Sequence, residues 1–214
     1  MLRALIIALA AAATAAAASA QVASFDLAAI KTYDRAAYSR AVTPCDRAAA
    51  HPNDPEKVTP GLEREAIDIP RAIKLCAKAV AADPDNPRLN YQLARLYGYS
   101  GRHAEGEPYR LKALLAGYPQ SLFVTGYILT IGWEGVPKDA CLGAELVLKS
   151  AQAKRFAGLV GFPHYVVNGA YDGCPVRKDK AEMAGFLKEA KPLASDFYER
   201  ILIENLEARV AALP

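Results

Sequence analysis

Lys78-Ala79 returns 34 residues later as Lys112-Ala113, with a helical stretch, a glycine turn at Gly101 and a second helical stretch between them. A helix-turn-helix unit of that length cannot bury its own apolar face, so it has to stack on neighbours of the same kind. Stacks of this sort curve, and their inner face can hold another chain. The period therefore predicts an all-α fold, an α-α superhelix, whose job is binding.

The first 20 residues read as a processing signal. Met1-Leu2-Arg3 is a short basic start, Ala4 to Ala13 an unbroken apolar run, and Ala18-Ser19-Ala20 a small-x-small cleavage site ahead of Gln21. The chain is thus expected to be exported, to a periplasm or beyond, and to carry no membrane insertion once the signal is cut. The first cysteine is Cys45, so no lipid attachment site follows the cleavage point. Removing Arg3 from the 26 basic residues leaves 25 against 23 acidic ones, mixed along the chain. Nucleic acid is not the expected partner, because phosphate binding needs clustered Lys and Arg.

Four cysteines in an exported chain read as two disulfides. Three pairings are possible. Loop-closure entropy favours the nearest ones, Cys45 with Cys76 and Cys141 with Cys174. A zinc site is the alternative, but there is no C-x-x-C and His51, His103 and His164 are dispersed, so no metal is expected.

Residues 21–69 form a lead-in with short helices and a loop rich in breakers, His51-Pro52-Asn53-Asp54-Pro55 and Pro60-Gly61. Repeat-like helices are expected over 70–192: from Pro70 to Ala82, from Pro87 to about Gly98, from His103 to Ala116, then near 120–131, 139–151, 155–171 and 179–190. Asp139 and Asp179 follow turns and precede helical runs, which suits them as N-caps rather than catalytic carboxylates, and Asp179 with Glu182 has capping-box spacing. Residues 193–214 are expected to form a capping helix that buries Ala194, Tyr198, Leu202, Leu206 and Val210 and turns a charged face outward.

These residues resemble a known class. Residues 70–119 are similar to a tetratricopeptide repeat: Ala72, Cys76, Ala79 and Pro84 match the second helix and terminal proline of one unit, and Leu93-Ala94, Tyr97, Gly101 and Ala113 match the next. Gly106 and Arg110 depart from that pattern. Residues 119–190 are closer to the Sel1-like variant, through Gly126, Gly135-Val136-Pro137-Lys138-Asp139 and Leu148-Lys149-Ser150-Ala151, with Lys178-Asp179 and Leu187-Lys188-Glu189-Ala190 repeating the turn and tail.

On the helix from Pro87, Arg88, Tyr91, Arg95 and Tyr99 gather on one face at about 100° per residue. The resemblance places that face on the concave groove, and the corresponding positions of the next unit hold Gln120, Phe123, Tyr127 and Ile131. Guanidinium groups interleaved with tyrosine could clamp a partner's carboxylate and stack on its side chains. Arg88, Tyr91, Arg95, Tyr99, Phe123 and Tyr127 are therefore the candidate contacts for a protein or peptide partner, with Trp133 expected to anchor packing. No G-x-S-x-G, H-E-x-x-H or phosphate-binding glycine loop is present, and no cofactor is expected. The alternative, a hydrolase acting on cell-envelope material, follows only from analogy with cysteine-rich Sel1-like proteins.

Overall fold

The computed structural model describes residues 25–133 and 136–214. The expected signal at 1–20 lies outside the described residues. Within them the chain is all-helical: α1 (Pro44–Ala49), α2 (Ile69–Ala82), α3 (Pro87–Tyr99), α4 (His103–Leu115), α5 (Pro119–Ile131), α6 (Ala140–Gln152), α7 (Phe156–Val167), α8 (Lys180–Ala190) and α9 (Phe197–Ala211), with no strand.

Capping chemistry sets most of the boundaries. The side chains of Asp68, Asn86, Asp139, Asp179 and Asp196 accept from backbone amides in the first turns of α2, α3, α6, α8 and α9, and prolines sit in the first turns of α1, α2, α3 and α5. The reciprocal half of the expected box at Asp179 is missing, because the Glu182 carboxylate pairs with Arg177 at 2.7 Å and accepts from Gln152 at 3.2 Å. A full box forms instead at Thr43 and Asp46. Helix α7 stops four residues short of the expected 171, where Gly169 takes φ 72° and the Ala170 amide returns to the Tyr165 carbonyl at 2.9 Å. Helix α9 starts at Phe197 rather than 194, because Lys191–Leu193 forms a 3₁₀ turn and Asp196 supplies the cap.

Neighbouring helices pack in sequence, most closely α5 on α6 and α3 on α4. Glycine sets the first contact: a Cβ on Gly143 would lie 2.5 Å from Thr130 Oγ1 and 2.8 Å from the Gly126 carbonyl. One apolar core joins α1, α2 and α3 through Cys45, Ala72, Cys76, Leu89, Leu93 and Leu96. A second joins α6 to α9 through residues such as Val147, Leu159, Phe162, Leu187, Ile203 and Leu206. Disulfides Cys45–Cys76 and Cys141–Cys174 form as expected, with Cα separations of 4.5 and 5.1 Å. The first ties α1 to α2, and the second ties α6 to the loop beyond α7.

The lead-in is packed along the helices as a strap. Phe25, Leu27 and Ile30 lie against Leu114, Leu122, Leu129 and Leu146. The Lys31 amide donates to the Leu115 carbonyl at 2.9 Å. Gly117, with φ 70°, lets this strap approach, since a Cβ there would stand 2.1 Å from the Lys31 carbonyl oxygen.

One feature of α9 departs from the expected cap. Its buried side chains are Ile203, Leu206 and Val210, while Tyr198 is 80% exposed and Leu202 40% exposed. The expected stripe advanced four residues at a time, whereas a helix turns once in about 3.6, so the stripe drifts off the buried face at its N-terminal end.

Candidate functional site

The stripe on α3 lies on one face as expected, but it is not open. Arg88 is 3% exposed and Arg95 is 6% exposed, because the lead-in covers them. Arg88 Nε donates to Asp46 Oδ1 at 2.8 Å, and its terminal nitrogens donate to the carbonyls of Ser39 and Ala41. Gln92 Nε2 donates to the same Asp46 oxygen at 2.9 Å. Arg95 donates to the carbonyls of Ala49, Ala50 and Leu62 and, through Nε, to the Tyr99 hydroxyl. Two of those carbonyls belong to the end of α1, where the helix dipole is negative and acceptors lack internal partners. The chain's own N-terminal segment thus occupies the guanidinium groups expected to face a partner.

Tyr91 is also buried, its hydroxyl accepting from Gln120 Nε2 at 3.1 Å. Tyr99 is half-buried between the guanidinium groups of Arg64 and Arg95, 5.2 and 4.9 Å from its ring centroid. Sequence reasoning missed Asp46, whose visible signal was the Thr43-x-x-Asp46 spacing, and the Asp54 carboxylate, which accepts from the Tyr118 hydroxyl at 2.7 Å and from the Glu56 amide at 2.9 Å. Asp54 lies in the breaker-rich loop, and its partner stands 64 positions away.

On α5 the stripe is different. Phe123 and Tyr127 are half-buried and stack at 6.3 Å, and Tyr127 meets Trp133 edge to face at 5.9 Å, with Trp133 47% exposed. Gly161 of α7 lies opposite: a Cβ added there would be 3.3 Å from the Phe123 ring and 3.7 Å from the Tyr165 ring. The glycine leaves room on α7 for the Phe123 ring.

At the Phe123 end of the strip stands Arg155, the residue before α7. It is 4% exposed, its Nε donates to Gln120 Oε1, and its guanidinium carbon sits 5.5 Å from the Phe123 centroid. Gln120 therefore bridges Tyr91 and Arg155 with its two amide ends. Among the described residues no carboxylate lies within ion-pair distance of Arg95 or Arg155. Burial pushes the Arg155 guanidinium below its ordinary value. Burial first, then the positive charges of Arg95, Arg155 and Lys57, hold the His51 imidazole down to about 3, so it is neutral near pH 7. Burial raises the Asp54 carboxyl against the opposing pull of its hydrogen bonds and of Arg155.

Taken together, these residues make a row of aromatic faces backed at one end by a buried cation, an arrangement that suits stacking of apolar or aromatic side chains. Two surface hollows lie elsewhere, one of about 370 Å³ between the lead-in, α2 and α3, and one of about 650 Å³ between α8 and α9. The first is walled in part by Arg88, which is already paired, and the second by Asp179, which caps α8. Comparison with protein-family models, curated proteins and solved structures finds no match for this chain.

Proposed function

We propose that the chain is an exported, disulfide-stapled α-α superhelix of the tetratricopeptide and Sel1-like kind, which binds a protein or peptide partner in its groove and does no catalysis. The observation that carries this reading is the strip Trp133, Tyr127 and Phe123 ending at Arg155, whose rings are only partly covered while the neighbouring face of α3 is already filled by the lead-in. The partner is an extended segment that lays apolar or aromatic side chains on the strip, whose inner end is held in place by the buried Arg155. Two disulfides support export, since such bonds persist in oxidising compartments. The hydrolase alternative would draw on the raised Asp54 carboxyl, but both its oxygens are engaged by Tyr118 and the Glu56 amide, so binding is the better supported reading.

Trp133 is the single tryptophan, so its fluorescence reports on the strip directly. Titration of the oxidised protein with a library of peptides rich in aromatic and apolar residues is expected to give a saturable emission change for a subset. Phe123→Ala with Tyr127→Ala should weaken that subset by roughly 30-fold, the effect of losing a ring pair at a contact centre. A library without a saturable binder, or affinities indifferent to the double substitution, would reject the site.

A further inference from the structure

Helix α9 is apolar on both sides. At about 100° per residue, Ile203, Leu206 and Val210 share the face that packs on α7 and α8, Phe197, Tyr198 and Ile201 fall on the far side, and Leu202 lies on the flank next to Leu206. Those four side chains are 62%, 80%, 47% and 40% exposed, and Leu193 just before them is 52% exposed. A helix packed on one side is expected to turn a polar face away from its neighbours. Contiguous exposed apolar side chains of this kind mark an interaction surface.

The pattern of charges and sizes on this face is self-complementary, and we infer that it docks on the same face of a second copy, antiparallel, with a twofold axis midway along the helix between Arg200 and Glu204. A twofold axis perpendicular to a helix brings each flank of that helix onto the same flank of its mate, running in reverse. In that register Arg200 faces Glu204 of the second copy, and Glu204 faces its Arg200. Both are exposed in the single chain, and neither forms an ion pair there although they stand one turn apart. The large Phe197 ring falls over the small Ala208 of the mate, Tyr198 reaches its Asn205, and Ile201 meets its own copy at the centre, with Leu202 turned away from the seam. Glu207 is left outside the seam, already paired with Lys191 at 2.8 Å. A parallel arrangement would set Phe197 against Phe197 and carry Arg200 and Glu204 of the two copies to opposite flanks, so that they could not pair. These few apolar side chains cover less than the roughly 800 Å² per partner of a permanent interface, so the association is concentration-dependent.

The test is the mass of the oxidised protein in solution by light scattering or sedimentation, measured over a range of concentration. A rise toward twice the monomer mass is expected, and Ile201→Arg should abolish it while circular dichroism stays unchanged. Arg200→Glu should weaken the dimer by about 10-fold, and adding Glu204→Arg should restore it, because the two rim charges attract again when exchanged. A monomer at every concentration, a dimer that survives Ile201→Arg, or a charge reversal without rescue would overturn the proposal. Peptide binding at Trp133 is read separately, so the two surfaces stand or fall independently.

Discussion

Arg88 Nε meets Asp46 Oδ1 at 2.8 Å, joining residues 42 positions apart of which one is 3% and the other 0% exposed. This pair locks α1 onto α3, and with it the lead-in onto the face where the sequence suggested a partner. Truncating one member leaves the other charge buried and alone. Asp46→Ala is therefore expected to destabilise by about 3 kcal/mol or more. Thermal denaturation of Asp46→Ala, Arg88→Met and the double variant checks this: the double variant should lose less than the two singles combined. Arg88→Ala with Arg95→Ala should act on folding for the same reason, and equal thermal midpoints for that variant and the parent would contradict the assignment.

The end helix separates two leucines. Leu206→Asp puts a carboxylate at a fully buried position and should cost about 3 kcal/mol or more, whereas Leu202→Asp, on the exposed face, should leave the thermal midpoint of the monomer within a few degrees of the parent. Similar losses for both would mean that α9 is turned differently on the stack.

Close approach of α5 and α6 rests on Gly143. Gly143→Ala gains about 1 kcal/mol of helix propensity. It also drives a methyl to within 2.5 Å of Thr130 Oγ1, and that hydroxyl is held by the Gly126 carbonyl at 2.7 Å. The clash should win, with a net loss of about 1–2 kcal/mol in urea unfolding. A stabilised variant would show that the helices can move apart at little cost.

His51 makes stability depend on pH. Its folded value, about 3, lies below its ordinary value of 6.5, so the unfolded chain binds more protons below that value. Its contribution is fully present above pH 6.5 and is lost as the pH falls toward 3. Protonation would also remove the Nδ1 acceptor of the Asn53 amide. Asp54, raised by burial, works in the opposite direction and gains as it is protonated. Urea midpoints at pH 7 and pH 5 should therefore differ less in His51→Gln than in the parent. Equal differences would remove His51 as a source of the acid slope.

Each disulfide closes a loop of similar length, with sequence separations of 31 and 33. Replacing Cys141 and Cys174 together by Ala should cost about 3–4 kcal/mol on the chain-entropy account. The loss should appear in calorimetry of the oxidised protein, and a midpoint insensitive to the double replacement would argue that the loop beyond α7 is held by its packing alone.

What the sequence determined was local. Proline and Asn or Asp at helix starts, glycine at turns and the spacing of apolar residues are read within one or two turns, and they marked nearly every helix from α2 to α9. The nearest-cysteine pairing followed from chain statistics for the same reason. Arg88, Tyr91, Arg95 and Tyr99 could be placed on one face, because helical periodicity is a property of the segment itself. Which surface meets that face is not local. Asp46 and the carbonyls of Ala49, Ala50 and Leu62 reach α3 only after the lead-in has crossed it, at separations of 33 to 46 residues that no periodicity encodes. Helix α9 shows the same division: apolar side chains were legible on it, but with such side chains on both faces, only packing against α7 and α8 chose Leu206 over Leu202 for burial.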